Sequence, residues 1–212
     1  MPYGDRSREE IISLTRDSVN FLLSKDVKII IFGCNTATAV AMSTIQKEIP
    51  LQIIGVVQSG ALAAARTTET KNVAVIGTNA TVDSHSYLKE IQYRDPEIKV
   101  SEFAQPKLAP LAEEDPDENI KNAVVSESLT PLKNADYDTL VLGCTHYPLL
   151  RDEIVAVVGQ DKKIVDPADQ VAQYTYNVLR RDDLFAESTA PVKHDYYTTG
   201  EAKKFTEITH QW

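Results

Sequence analysis

Apolar residues alternate along this chain between two patterns: short continuous runs and segments with helical spacing. The runs are rich in β-branched residues, which is typical of buried strands, while spacings of three and four residues indicate amphipathic helices. The predicted strands are residues 27–32, 51–57, 72–76, 98–103, 139–142, 163–165 and, near the end of the chain, 195–199. The predicted helices are residues 8–24, 34–48, 60–67, 81–94, 119–132, 148–158, 170–181 and a short terminal one.

Two further local signals refine this pattern. Ser7 and Glu10 have the spacing of a capping box, so the first helix is expected to begin there. The stretch 104–116 contains several prolines and is predicted to be irregular.

The alternation of strands and helices predicts an α/β protein with parallel sheets and helices on both faces. Two segments of similar sequence, described below, lie in corresponding strand-helix contexts. We therefore expect two similar domains that face each other across a cleft, with the active site between them at the carboxyl ends of the strands. The first domain is predicted to comprise residues 1–66 and 168–212, and the second residues 67–167.

The two similar segments follow two of the predicted strands. They are Gly33-Cys34-Asn35-Thr36 and Gly143-Cys144-Thr145-His146, and they contain both cysteines of the chain. At such a turn the backbone N–H groups that begin the next helix surround the thiol, which is expected to lower its pKa and to favour bound anions. Two of these turns predict one active site with a sulfur on each side.

Composition narrows the function classes. The 212 residues include 22 basic and 31 acidic ones, giving a net charge of −9 with no basic cluster, so we expect no nucleic-acid partner. The apolar runs are far shorter than the roughly 20 residues of a membrane-spanning helix, so no membrane association is expected. The N-terminus has no signal-peptide pattern, and two cysteines do not make a disulfide framework. The cytoplasm is the expected compartment.

Several chemistries are compatible with the two cysteines. Free cysteines often pack as small, inert apolar side chains. A zinc site would need more ligands than His146 supplies, and the Cys-x-x-Cys motif typical of redox pairs is absent. A Cys–His hydrolase could use His146, but Cys34 would then have no role.

Proton transfer at a stereocentre would use both sulfurs. One thiolate would remove the α-hydrogen, and the opposite thiol would protonate the other face. An unperturbed thiol has a pKa near about 8.5, so a modest shift brings it to working pH. Without a cofactor, the carbanion would depend on hydrogen bonds to the adjoining carboxylate, for which Asn35, Thr36 and Thr145 are suitable donors.

The sequence also resembles the glutamate racemase family, within the cofactor-independent aspartate/glutamate racemase superfamily. The match covers essentially the whole chain. The matching motifs are Pro2-Tyr3-Gly4 with Arg6-Ser7, Gly33-Cys34-Asn35-Thr36-Ala37, Ile76-Gly77-Thr78 with Thr81, Val82, Ser84 and Tyr87, and Gly143-Cys144-Thr145-His146-Tyr147-Pro148-Leu149-Leu150. Weaker agreement continues at Pro110-Leu111 with Glu113, at Val165-Asp166-Pro167-Ala168, and at Tyr197, Thr199 and Gly200. The two cysteine motifs together are highly specific, whereas Pro2-Tyr3-Gly4 or Gly77-Thr78 with Thr81 alone would be weak.

The resemblance implies roles for ten residues. Cys34 and Cys144 would be the two acid/base residues. The implied substrate contacts are Tyr3, Gly4, Asn35, Thr36, Thr145 and His146, with Thr78 and Thr81 as further neighbours. His146 could tune Cys144, assist with the substrate ammonium, or merely satisfy a backbone carbonyl.

The resemblance further implies interconversion of L- and D-glutamate without a metal or cofactor, supply of D-glutamate for peptidoglycan synthesis, and a homodimer. The family also has an upstream strand that ends in an Asp-Ser pair, whereas here Met1 directly precedes Pro2. We therefore expect the polypeptide as written to be less stable and to have little activity. Two alternatives stay open: a racemase of aspartate or another small acid, and a non-catalytic binding protein that keeps the fold.

Overall fold

The computed structural model describes residues 3–187 and 191–209; Pro2 of the first motif lies outside them. The strands are β1 (Ile30–Phe32), β2 (Ile53–Gly55), β3 (Asn72–Gly77), β4 (Lys99–Ala104), β5 (Thr139–Gly143) and β6 (Lys163–Val165). The helices are α1 (Arg8–Leu23), α2 (Asn35–Ile45), α3 (Val56–Thr67), α4 (Asn79–Asp83), α5 (Ser86–Arg94), α6 (Leu108–Glu114), α7 (Glu118–Ser128), α8 (Arg151–Val158), α9 (Pro167–Arg181) and α10 (Ala202–Thr209). Short 3₁₀ helices cover Thr130–Asn134 and Tyr147–Leu150. Across the described ranges, no helix combines the length and the apolar character needed to cross a bilayer.

The strands form parallel sheets. β1 pairs with β2, and a second sheet has the strand order β4-β3-β5-β6. Parallel neighbours require crossover connections, and helices provide them here. The predicted α/β fold with parallel sheets and helices is therefore confirmed.

Alternate residues of the second sheet pack into different apolar clusters. Ala74 and Ile76 of β3 face a cluster that includes residues of α6, α7 and α8. Val73 and Val75 face another cluster that includes residues of α3 and α5. Helices therefore cover both faces of this sheet, as the near-continuous apolar character of its strands requires.

The strands of the first sheet are short. Ile30 and Phe32 of β1 are buried with residues of α1 and α2, whereas Ile31, which points to the other face, is 46% exposed. This packing sets α2 directly behind the strand that ends before Cys34.

Helix α3 follows the first sheet in sequence but packs on the second. Val57, Ala61 and Ala64 are fully buried in the cluster that contains Val73 and Val75. The predicted division had placed residues 56–66 with the first domain. The division of the chain into domains stays a prediction.

Several local predictions can be compared with the structure. The capping box of Ser7 and Glu10 is confirmed, with hydrogen bonds in both directions. The single helix predicted over residues 81–94 is wrong, because His85 adopts a left-handed conformation (φ 52°) that separates α4 from α5. The irregular stretch 104–116 instead contains α6, whose Pro110 lies in the first turn, where a missing N–H costs nothing.

The strand predicted over residues 195–199 is wrong as well. This stretch is irregular and exposed, with Tyr196 76% and Tyr197 53% accessible. A strand needs a neighbouring strand to satisfy its backbone groups, and none of the described residues provides one beside it.

Candidate active site

Cys34 lies between the end of β1 and the start of α2. It is the N-cap residue of α2, and its sulfur accepts a hydrogen bond from the backbone N–H of Ala37 at 3.5 Å. A thiol at this place receives the partial positive charge of the helix N-terminus. The side chain is half-buried.

Cys144 follows β5 in the corresponding way but is more enclosed. Its side chain is buried, and its sulfur lies 3.6 Å from Nδ1 of His146. The other ring nitrogen of His146, Nε2, lies 2.9 Å from a carboxylate oxygen of Glu113 in α6. His146 thus stands between an acidic side chain and the thiol, with one ring nitrogen directed at each.

Three threonine hydroxyls meet between the two cysteine segments. The Thr36 oxygen lies 2.9 Å from that of Thr78 and 3.3 Å from that of Thr81, and the last two are 3.1 Å apart. All three residues are buried. Thr36 belongs to α2, Thr78 is the N-cap residue between β3 and α4, and Thr81 lies in α4. This hydroxyl ring therefore ties the first sheet's helix to the helix that follows β3 of the second sheet.

Gly4 closes one side of the hydroxyl ring. Its carbonyl accepts a hydrogen bond from the N–H of Ala80, and a Cβ at this position would lie 3.0 Å from Cβ of Thr78. The neighbouring Tyr3 is half-buried against the cluster that includes Ile30 and Phe32. The N-terminal segment is therefore held beside the threonines.

Two bridges connect the cysteine segments. The first runs through the sheet: Gly77 pairs with Gly143, so Thr78 and Cys144 follow neighbouring strands, and Thr78 contacts Thr36. The second is Tyr87, which is fully buried. Its hydroxyl donates to Oδ1 of Asn35 at 2.6 Å, and its ring packs beside Gly143.

Burial raises the pKa of both thiols. For Cys34 the loss of water outweighs the hydrogen bonds from the N–H groups of Ala37 and Thr36. Burial raises the pKa of Cys144 to about 12, and the negative charges of Cys34 and Glu113 contribute to the rise. The expectation of lowered thiol pKa values is therefore wrong: the helix N-terminus acts in the expected direction, but desolvation is the larger effect.

The structure brings most of the predicted site residues together. Asn35, Thr36, Thr78 and Thr81 are buried around the two bridges, and His146 contacts Cys144. Thr145 differs, since it is exposed at the turn after Cys144. The bridging role of Tyr87 was missed by sequence reasoning, which noted this residue only as part of a motif.

Other features of the described chain do not compete with this site. Within residues 3–187 and 191–209, no cluster of three or more histidine, cysteine, aspartate or glutamate side chains is arranged to hold a metal ion. A groove of about 450 Å³ lies between α2, α3 and α5, lined by residues such as Met42, Gln58 and Lys89, but it contains neither cysteine. The predicted absence of a metal and a cofactor stays a prediction.

Comparison with known proteins identifies the family. Residues 4–175 match the model of the Asp/Glu/Hydantoin racemase family. A glutamate racemase of Lactobacillus johnsonii is 97% identical over 212 residues, which are 100% of this chain and 80% of that protein. A glutamate racemase of Lactobacillus helveticus is 62% identical over 98% of this chain and 78% of its own length.

Solved structures agree. A glutamate racemase isoform of Bacillus anthracis matches with a TM-score of 0.95 and 36% identity, covering 100% of this chain and 79% of its own. The glutamate racemase of Francisella tularensis, solved in complex with D-glutamate, matches with a TM-score of 0.92 and 29% identity over the same shares. The chain therefore belongs to the Asp/Glu/hydantoin racemase family and is an isomerase.

Proposed function

We propose that this protein is a glutamate racemase that interconverts L- and D-glutamate with two cysteines and without a cofactor. The observation that carries the proposal is the pairing of two free thiols at the carboxyl ends of strands in different sheets, linked by two short bridges. Burial raises the pKa of Cys144 and the negative charge of Cys34 adds to the rise, which supports the two residues lying near each other. The named relatives, all glutamate racemases, support glutamate as the substrate.

In the proposed reaction, the thiolate of one cysteine takes the α-proton while the electron pair of the C–H bond passes to the carbanion. The thiol of the other cysteine then gives its proton to the opposite face of the same carbon. No bond to sulfur persists and no electron is gained or lost, so the enzyme ends with the thiol and the thiolate exchanged. The reverse direction uses the same two groups in opposite order.

This scheme requires one thiolate in a site where burial raises both thiol pKa values. The positively charged ammonium of the substrate would favour the thiolate when it enters, because an opposite charge stabilises the ionised form. At Cys144, His146 is suitably placed to donate to the sulfur, with Glu113 orienting its ring. At Cys34, the N–H of Ala37 has this role.

Hydrogen-bond donors around the thiols would bind the substrate. Asn35 and Thr36 open α2, so their side chains and backbone N–H groups suit a carboxylate, and Thr145 is accessible for the same purpose. Gly4 lies against the hydroxyl ring formed by Thr36, Thr78 and Thr81, and its neighbour Tyr3 would contact the substrate from the same segment. Stabilising the developing carbanion at the carboxylate is the largest task of these donors.

The decisive experiment is incubation of either glutamate enantiomer in deuterium oxide. We expect inversion of configuration, which optical rotation measures. We also expect incorporation of solvent deuterium at the α-carbon, which NMR detects. Faster turnover of aspartate than of glutamate would identify aspartate as the preferred substrate. Binding of glutamate with neither inversion nor exchange would show that the protein is a binding protein and not a racemase.

We predict that Cys34→Ala and Cys144→Ala each abolish inversion in both directions, because each direction uses both sulfurs. The loss should exceed about a thousandfold, the size expected when a general acid or base is removed. Circular dichroism of each variant serves as the control for folding. Near-normal turnover in either folded variant would contradict the two-base assignment.

We also propose that the D-glutamate supplies peptidoglycan synthesis in the cytoplasm and that the active protein is a homodimer. Exposed aromatic side chains on and after α9, Tyr174, Tyr176 and Phe185, support a contact surface there. Sedimentation equilibrium should give about twice the chain mass of 23.5 kDa.

A further inference from the structure

We propose that Tyr87 is a positioning residue that orients the side-chain amide of Asn35 for substrate binding and sets the spacing of the two cysteine segments. This inference rests on the proposed function, because it specifies how that site holds its substrate. It concerns a side chain that does not touch the reacting carbon and acts through its neighbours.

The hydroxyl of Tyr87 determines which way the Asn35 amide faces. It donates to Oδ1 at 2.6 Å, and both residues are almost completely buried. A buried donor without an acceptor is costly, so the amide is held with Oδ1 toward the phenol. Its NH₂ group is then directed away from Tyr87 and stays available as a donor. If the amide turned over, an oxygen would replace this donor and would repel a carboxylate.

The ring of Tyr87 fills a slot with little free space. A Cβ added at Gly143 would lie 3.3 Å from one ring edge carbon, Cε2. A Cβ added at Gly60 of α3 would lie 3.1 Å from the other, Cε1, and 3.0 Å from the hydroxyl oxygen. The ring therefore packs tightly between Gly143 and α3. A shift of the ring would displace the end of β5, and a shift of β5 would displace the ring.

These contacts make Tyr87 a spacer between the two thiols. Its hydroxyl is hydrogen-bonded to the residue after Cys34, and its ring leaves little room beside the residue before Cys144. Burial, followed by the negative charges of Cys144 and Asp166, raises the pKa of Tyr87 far above its ordinary value. The phenol therefore stays protonated and keeps its donor role across the working pH range.

The test is a double-mutant cycle with Tyr87→Phe and Asn35→Ala. Tyr87→Phe keeps the ring and removes the hydroxyl, so we expect KM for glutamate to rise about tenfold with a smaller change in kcat. In the Asn35→Ala background the same substitution should change KM by less than twofold, because the group through which it acts is gone.

Tyr147→Phe is the matched control. Tyr147 is also fully buried, lies near Cys144, and donates its hydroxyl to a backbone carbonyl, that of Gln105, at 2.8 Å. Tyr147→Phe should lower the free energy of unfolding about as much as Tyr87→Phe does. Its effect on KM should not depend on whether Asn35 is present. Equal KM changes in both variants, or additive effects in the cycle, would overturn the inference.

A second readout separates this inference from the proposed function. The Asn35 side-chain NH₂ signals in a ¹⁵N NMR spectrum should shift in Tyr87→Phe before any ligand is added, and unchanged signals would overturn the inference. If the wild-type chain binds D-glutamate with a shift of these signals but shows no inversion, racemase function fails while the positioning role stands. If inversion occurs and Tyr87→Phe matches wild type in KM, the positioning role fails alone.

Discussion

At the scale of single residues, Gly33 and Gly143 occupy equivalent places in the two cysteine segments but have different surroundings. A Cβ on Gly143 would lie 2.6 Å from the carbonyl oxygen of Ile76 in the neighbouring strand. A Cβ on Gly33 would meet nothing within 4 Å. Close approach of two strands therefore requires glycine before Cys144 but not before Cys34.

Gly143→Ala is expected to push the end of β5 away from β3 and to displace Cys144. We expect the free energy of unfolding to fall by about 1–3 kcal/mol, as for other overpacked sites, and turnover to fall at least tenfold. Gly33→Ala is the control. It should change the free energy of unfolding by less than about 0.5 kcal/mol and turnover by less than about twofold. Urea unfolding and racemisation assays measure these effects; equal sensitivity at the two positions would contradict the explanation.

The sequence could identify the two thiols but not this asymmetry. Both cysteine segments read as Gly-Cys after an apolar run, and that pattern reflects only local structure. The neighbours that distinguish Gly143 from Gly33 come from β3 and from Tyr87, which are distant along the chain. The direction of the thiol pKa shifts was missed for the same reason, since burial depends on the whole packing.

At the scale of elements, the break between α4 and α5 decides which side chains reach the cysteine segments. Thr81 and Tyr87 are six positions apart, so a continuous helix would place them about 120° apart around its axis. The left-handed residue His85 interrupts the helix, and both side chains reach the cysteine segments. Periodicity could not reveal this break, because both halves keep helical spacing.

The other misassigned elements also have physical reasons. Proline in a sequence indicates an interrupted backbone, but Pro110 lies in the first turn of α6, where it is tolerated. The stretch 195–199 has β-prone residues, yet strand formation depends on a partner strand that local sequence does not encode. The long strand-helix alternation was recognisable because it repeats over most of the chain.

Asp138 holds the amino ends of the second sheet together. Its carboxylate accepts hydrogen bonds from the hydroxyls of Thr68 and Thr139 and from the N–H groups of Glu69 and Thr70. Burial opposes the charge, but these four donors outweigh it and hold the pKa of Asp138 well below its usual range. The turn from α3 into β3 is thereby fixed to the start of β5.

Asp138→Asn is expected to lower the free energy of unfolding by about 2–3 kcal/mol, because an NH₂ group would face donors. Asp136→Asn is the control: Asp136 is an exposed neighbour that accepts a hydrogen bond from Asn72, and it should change stability by less than about 1 kcal/mol. The two variants are compared by urea unfolding.

The same site has a pH signature. Because the folded pKa of Asp138 is depressed, its stabilisation is complete above the unfolded value of 3.8 and is lost as the pH falls below it. In Asp138→Asn, the free energy of unfolding should fall less steeply with decreasing pH, because this carboxylate no longer contributes. An identical acid dependence in wild type and variant would argue against the assignment.

At the scale of the whole molecule, the buried cysteine and tyrosine side chains around the site predict that the free energy of unfolding falls at alkaline pH. Burial raises the pKa of Cys34, Cys144, Tyr87 and Tyr147 in the folded state. For Cys144, between the ordinary value of 9.0 and the folded value of about 12, the unfolded chain has released its proton and the folded chain has not. Rising pH therefore favours unfolding, by up to about 1.4 kcal/mol per pH unit for each group.

Urea unfolding across this alkaline range should show the decline, and Cys144→Ala should make it shallower by its own share. A free energy of unfolding that stays constant from about pH 9 to about pH 11 would contradict the buried, protonated state of these side chains. Stability below pH 9 should be insensitive to these groups, because they are protonated in both states.

The contact between the two sheets through Thr36, Thr78 and Thr81 consists of neutral hydroxyls. Ionic strength screens charges but leaves such bonds almost unaffected. The contact between the two cysteine segments should consequently persist in concentrated salt, where surface ion pairs such as Arg16–Glu48 weaken. The spacing of these two segments should therefore depend little on ionic strength.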